Sequence, residues 1–288
     1  MATLKAIRRR ISSVKSTQQI TRAMKLVAAA RLRRAQEALL AARPYHEALH
    51  RVAGSMLSAE RAALAPAEDA RPAGLILVIA SDRGLCGGYN ANLIRRAEEE
   101  ARRLRAEHLE VNLFAVGRKA ADHFKRVRVP LAGESINHAP RLATFVLARA
   151  LASRMLADFR SGAIREGGMV YSQFRSALSQ HPAYERLLPV SMPEAEVAGS
   201  SQTQYLVEPG RAELVPVLLR RYVEASIFHA LLEAEASEHG ARMTAMDSAT
   251  NNASEMIQRL TLEMNRARQA TITRELMDIV GGAEALRA

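Results

Sequence analysis

The chain has 288 residues and a net charge of +11, and at 48% hydrophobic it can bury a sizeable core in about two domains. Aromatics are only 4% and tryptophan is absent, which favours long helices over an aromatic-rich β protein. The single cysteine, Cys86, excludes an internal disulfide; the longest wholly apolar run, residues 75–80, is far too short to cross a membrane.

At the N-terminus, MATLKAIRRR lacks the apolar core of a secretory signal, so the chain reads as soluble and intracellular. Residues 3–58 carry a helical pattern: Leu4, Ile7, Ile11, Val14, Thr21, Ala28, Leu32, Ala35 and Leu39 continue one heptad-like stripe. Arg8, Lys15 and Arg22 repeat on another face. Residues 1–36 hold ten basic side chains and no acid before Glu37. Their partner is therefore acidic, and nucleic acid, anionic lipid and an acidic protein loop all qualify. Pro44 removes a backbone donor and is expected to kink or interrupt the helix. Residues 62–74, rich in Ala, Pro and acids, read as a linker.

From residue 75 the period changes. Residues 75–80 form a fully apolar run suited to a buried parallel strand. The loop SDRGLCGGYN follows, then an amphipathic helix over 93–108. Further strands are expected at 111–116, 169–174 and 204–207, and helices at 119–125 and 143–159. Residues 198–203, AGSSQT, read as a mobile loop. Strands alternating with helices predict a small α/β domain with a largely parallel sheet.

The C-terminal stretch dominates the sequence. Residues 217–280 contain no proline and one glycine, Gly240, before the pair Gly281–Gly282, which reads as a helix stop. A seam at alternating three- and four-residue steps runs Val215, Leu218, Tyr222, Ala225, His229, Leu232, Ala236, His239, Met243. It continues through Met246, Thr250, Ala253, Ile257, Leu260, Met264, Ala267 and Thr271. That register favours a coiled coil, roughly 96 Å long if straight. The simplest assembly folds the two terminal helices into an antiparallel pair. The C-terminal one is longer, so Leu276, Met277, Ile279 and Val280 are expected to extend past its mate, as an apolar tip that calls for an apolar socket or, in the plainer alternative, as a frayed terminus. The predicted fold class is thus α/β: a long antiparallel coiled coil of the terminal helices plus a central Rossmann-like domain. Its parts are residues 1–60, 75–208 and 212–288.

No site for bond chemistry assembles. The glycine loop matches neither GxGxxG nor GxxxxGK[ST], which leaves phosphate binding and a tight structural turn both open. Cys86 has Arg83 nearby but no histidine partner. His229 and His239 lie ten residues apart, which is not metal-ligand spacing. No Ser/His/Asp set or carboxylate pair is present, so no catalytic, cofactor or metal residue is assigned.

Three motifs then act together: IRRRISSVKSTQQITRAMKLVAAARLRRAQ near the start, SDRGLCGGYN in the middle, and SEHGARMTAMDSATNNASEMIQRLTLEMNRARQATITRELMDIVGGAEAL near the end. With ARPY, RRYVE and YLVEP between them, the chain closely resembles the γ subunits of rotary F-type ATP synthases of bacterial type. The resemblance implies a non-catalytic rotor shaft inside a hexamer of α and β subunits, with a foot against the ε subunit and the c ring. It further implies ATP synthesis at β-subunit sites driven by proton translocation. No cofactor is implied, and membrane association on the cytoplasmic face of the bacterial inner membrane comes only through the complex. Carried over by motif, Met24 and Lys25 of AMK, Arg242 of ARM, and Gln269 and Thr273 of ARQATIT are implied β-subunit contacts. Arg31, Arg33 and Arg34 form a basic band facing acidic β loops, and Tyr205 of YLVEP is a foot position near the c ring. Gly240, where alanine is usual, and Met264, where an aromatic is usual, depart from the pattern, and Gly240 is expected to loosen the rod by about 1 kcal/mol. Two other readings are a basic coiled-coil protein that binds nucleic acid and a small nucleotide-dependent enzyme.

Overall fold

The structure, a computed structural model, describes residues 4–57, 71–137, 143–190, 207–208 and 210–285. Its elements in chain order are α1 (Leu4–Leu57), β1 (Ala73–Ile79), α2 (Tyr89–Ala106), β2 (Glu110–Val116), α3 (Arg118–Arg126) and β3 (Leu131–Ser135). There follow α4 (Phe145–Arg160), β4 (Glu166–Phe174), β5 (Gln180–Leu188) and α5 (Arg211–Ala285). By contacts the chain divides into two compact units, residues 1–27 with 243–288, and residues 28–242.

The larger unit is built on a five-stranded sheet in the order β3-β2-β1-β4-β5, parallel except for the antiparallel β5. Strand β1 is buried along its whole length, as the apolar run requires. Alternation then distributes its side chains to two cores. Ile76 and Val78 meet Leu93, Ala97 and Leu104 of α2 and Phe124 of α3. Leu75, Leu77 and Ile79 face Leu151, Met155 and Phe159 of α4, together with Leu39 and Met56 of α1 and Val223, Ile227 and Leu231 of α5. Each such side chain taken fully out of water contributes about 1.5–3 kcal/mol. Within this unit α5 is buried beyond its seam, since Val223, Ile227, Ala230, Leu231 and Ala234 are all fully covered. A helix covered beyond one stripe is a core helix, and here it packs on the sheet as well as on α1, with the buried Glu224 held by Arg220 and Arg221. Tyr89 Oη donates to Ala234 O at 3.1 Å, and Ser237 Oγ donates to Ser172 O at 3.0 Å.

Helices α2, α3 and α4 end in the same way. After α2, His108 N donates to Arg105 O and Leu109 N to Leu104 O. After α3, Arg128 N donates to Lys125 O and Val129 N to Phe124 O. After α4, Gly162 N donates to Phe159 O and Ala163 N to Asp158 O. These are three Schellman motifs, each needing a left-handed residue at the same position. Gly162 takes that conformation at φ 69° without penalty, whereas His108 at 61° and Arg128 at 57° each cost about 1 kcal/mol.

Several expectations are corrected. Helix α1 runs unbroken through Pro44. The ring sits on an exposed face, and packing by Leu39 and Ala53 on either side outweighs one lost hydrogen bond. Helix α5 continues over Gly281–Gly282 to Ala285; two glycines weaken a helix by only about 1 kcal/mol each. Strands β3 and β5 are additions to the expected set, because LAGES and QHPAYERLL are edge strands with weak alternation and Pro182 in the second. The expected strand at 204–207, the loop at 198–203 and most of the linker at 62–74 lie outside the described residues. At Gly240 a Cβ would lie 3.3 Å from Ala177 O and 3.4 Å from Ala177 Cα. The glycine therefore admits the β4–β5 turn against α5, so its effect there is close packing and not slack alone.

Candidate functional site: the helix pair and the glycine loop

In the smaller unit α1 and α5 are joined by side-chain bonds that define their direction. Gln18 Nε2 donates to Ser254 Oγ at 2.7 Å, Thr21 Oγ1 and Thr250 Oγ1 are 2.8 Å apart, and Lys25 Nζ meets Asp247 Oδ1 at 2.6 Å. From the first pair to the last, the position rises by seven on α1 and falls by seven on α5. The helices are antiparallel and in register, as the seam requires. Inside the larger unit the same drift continues, with His46 stacked on His229 at 4.1 Å and His50 tilted against Tyr222 at 5.6 Å. None of the seventeen seam positions from Val215 to Thr271 is exposed.

Continued at one residue per residue, the register brings Leu4 opposite about residue 268. Beyond that level α5 has no mate among the described residues. Leu276, Met277, Ile279 and Val280 are accordingly 57%, 65%, 72% and 50% exposed. Gln269 and Thr273 are exposed on the same stretch. Of the other positions singled out by sequence, Met24 is half-buried, and Lys25 is committed to Asp247. Arg31, Arg33 and Arg34 are exposed; Arg33 pairs with Glu37 at 3.3 Å one turn away. Tyr205 lies outside the described residues.

Arg242 is placed differently from the other implied contact positions, at 9% exposure within the larger unit. Its Nη2 pairs with Glu238 at 2.7 Å and also points at Arg83 O and Gly84 O, both at 3.3 Å. Nη1 donates to His239 Nδ1 at 3.3 Å. This tie to the glycine loop was not legible from spacing, since the partners are some 158 residues apart. The loop itself is internally bonded. Ser81 Oγ donates to Arg83 O at 2.6 Å, Ser81 N to Asn90 Oδ1 at 3.0 Å, and Asn90 Nδ2 to Cys86 Sγ at 3.2 Å. Asp82 Oδ1 accepts from Arg118 N and Asn137 N. Its polar groups thus build a packed turn that presents Leu85, at φ 61° and 64% exposed, to solvent. Burial pushes the Cys86 thiol up, which keeps it protonated.

The histidine cluster carries a titration. Burial first, then the neighbouring His229 and His50, lower the His46 pKa to about 4, while Glu47 opposes; burial and then Arg43 lower that of His229. Groups with depressed histidine values bind more protons unfolded, so stability falls as pH drops from about 6.5 towards 4. Glu233, raised to about 7 chiefly by burial and then by Glu185, acts in the opposite sense over part of that window. His46→Gln should therefore reduce the loss of melting temperature between pH 7 and pH 5 relative to the parent chain. Equal losses in the two would show that the cluster does not feel its burial.

The described residues thus combine an antiparallel, in-register helix pair in one unit with a second, α/β unit whose Gly-rich loop is a structural turn. Comparison with known proteins agrees. The family model described as ATP synthase matches residues 3–286. The "ATP synthase gamma chain" of Moorella thermoacetica is 48% identical over 292 residues, covering 100% of both chains; that of Acidiphilium cryptum is 47% identical over 298 residues, covering 99% and 100%. The chain belongs to the ATP synthase gamma-chain family. Among solved structures, a chain of the Euglena gracilis mitochondrial ATP synthase OSCP/F1/c-ring assembly shares the fold, with TM-score 0.73 and 21% identity over 98% of this chain and 94% of that one. A chain of the Tetrahymena thermophila mitochondrial ATP synthase central stalk and c ring gives TM-score 0.62 at 25% identity, covering 80% and 99%. No helix among the described residues is long and apolar enough to cross a membrane.

Proposed function

We propose that this chain is the central-stalk subunit of a proton-translocating F-type ATP synthase, turning with the c ring and coupling that rotation to ATP synthesis on the β subunits. The observation that carries the reading is the full-length match to gamma chains, joined to a helix pair whose apolar tip outruns its mate. The chain itself catalyses nothing. The helix pair (residues 1–60 and 212–288) stands within the ring of α and β subunits, while the α/β domain (75–208) forms the foot, with Tyr205, on ε and the c ring. The complex sits on the cytoplasmic face of the bacterial inner membrane.

The mechanism follows from asymmetry. A shaft without threefold symmetry meets three chemically identical β subunits with different contacts. Each rotary position therefore stabilises a different set of β conformations. Met24, Lys25, Arg242, Gln269 and Thr273 are the contacts that change with angle, and Leu276, Met277, Ile279 and Val280 turn in an apolar socket. Exposure of Gln269, Thr273 and the tip supports this part. Arg242 is held inside its own unit, so its contact with β requires exchange of the partners it has here.

Co-expression tests the reading. The tagged chain should bring down α, β and ε and complete an ATP-hydrolysing complex, while the chain alone turns over no ATP. Turnover by the purified chain that is lost on altering its own glycine loop would overturn it. In the assembled complex, replacing Arg31, Arg33 and Arg34 together with glutamine should leave assembly intact, because exposed charges contribute at most about 1 kcal/mol each. Hydrolysis and synthesis rates should change. Unchanged rates would make the band a solvated face.

A further inference from the structure

The parallel strands of the larger unit begin at one edge of the sheet, and six arginines gather there. Arg105, Arg126 and Arg160 stand at the ends of α2, α3 and α4; Arg128 and Arg165 lie in the turns that follow, and Arg71 precedes β1. Backbone bonds hold these segments side by side: Arg71 N to Gly162 O at 2.9 Å, Arg165 N to Ala73 O at 2.7 Å, and Glu110 N to Pro72 O at 2.6 Å. All six are exposed, and none has an ion pair among the described residues. The nearby carboxylates Glu107 and Glu166 are taken by Arg103, and Asp158 by Arg154, which leaves Glu110 and, one turn before Arg126, Asp122 as opposing charges against the six arginines.

The negative ends of three helix dipoles account for Arg105, Arg126 and Arg160. They do not account for Arg71, Arg128 and Arg165. Arg128 also occupies a left-handed position that its counterpart after α4 fills with glycine.

We propose that this rim is a contact surface for anionic phospholipid head groups. The inference rests on the stalk reading above, which puts the foot beside a membrane ring. Strand β5 ends at the same edge, where Leu188 pairs with Gly167, and Tyr205, the position the stalk reading assigns to the c ring, follows 17 residues later in the sequence. A rim spread over the ends of neighbouring strands about 4.8 Å apart is broader than one acidic side chain and matches a diffuse anionic plane. Such attraction strengthens binding by about fivefold for each basic residue close to the surface and fades within a Debye length.

The test uses the soluble complex of the full chain with its α and β partners, floated on phosphatidylcholine vesicles with and without phosphatidylglycerol. The parent complex should partition more strongly onto the anionic vesicles, and added salt should abolish the difference. Arg71→Gln/Arg128→Gln/Arg165→Gln should lower that partition by on the order of a hundredfold, and the corresponding lysine triple should retain most of it. Equal partition of parent and glutamine triple, or of parent on the two kinds of vesicle, would overturn the proposal. So would loss of the c ring from the glutamine triple in the whole enzyme, which would assign the rim to ring protein. Failure of the parent chain to bring down α and β would instead overturn the stalk reading, so the two failures are distinguishable.

Discussion

Gly117→Ala is expected to be among the most damaging one-methyl changes in this chain, destabilising the α/β unit by about 3 kcal/mol or more. Gly117 caps the start of α3 at φ 93°, a conformation an L side chain rarely adopts. A Cβ there would lie 2.2 Å from Ala80 O and 3.1 Å from Ser81 C. Those atoms are backbone, and backbone here cannot yield cheaply. Ala80 N donates to Val116 O, Gly117 N to Ser135 O, and Lys119 N to Ser81 O, so three strand ends share the turn. Moving Ala80 aside would also displace Ser81, whose bonds order the glycine loop. Gly84→Ala is the control. A Cβ at Gly84 would meet only the flexible Lys119 Cε at 3.7 Å, so little change in stability is expected. Denaturant unfolding of both variants decides the matter, and a Gly117→Ala chain as stable as its parent would mean that the turn relaxes.

Arg242→Ala should combine a stability loss with a coupling loss. The guanidinium and the Glu238 carboxylate are only 11% and 13% exposed, and removing one partner of such a pair costs about 3–5 kcal/mol, less where water reaches the survivor. Burial already raises the pKa of Glu238 against the lowering by Arg242; without the arginine the carboxyl should move further up. Glu238→Gln in the same chain should recover part of the loss, because no unpaired buried charge remains. The exchange of backbone amide hydrogens over residues 83–88 should quicken in Arg242→Ala, since Arg83 O and Gly84 O lose their shared donor. In the assembled complex ATP synthesis should fall as well. A variant as stable as its parent, with the loop still protected, would show that Glu238 and the loop do not depend on Arg242.

The seam from Val215 to Thr271 was legible because a heptad repeat is a property of one segment, and its burial follows from placing those residues against any matching stripe. The stripe Ile7, Thr21, Ala28, Leu32, Ala35, Leu39 supplied that match, and the constant drift of Gln18, Thr21 and Lys25 against Ser254, Thr250 and Asp247 realises it. The unpaired apolar tip was equally a matter of unequal helix lengths. Strand β1 could be read from six consecutive apolar residues, whereas β3 and β5 could not, because an edge strand is defined by its neighbour more than by its own pattern. Tertiary structure alone decided that Gly117 meets backbone atoms where a side chain would begin, while Gly84 and Gly88 of the conspicuous SDRGLCGGYN have room for one. It alone set Arg242 against Arg83 and Gly84, stacked His46 on His229, and brought Arg71, Arg128 and Arg165 to one edge. Local periodicity records which face of an element is buried; what lies on the other side of that contact depends on how distant segments close on one another.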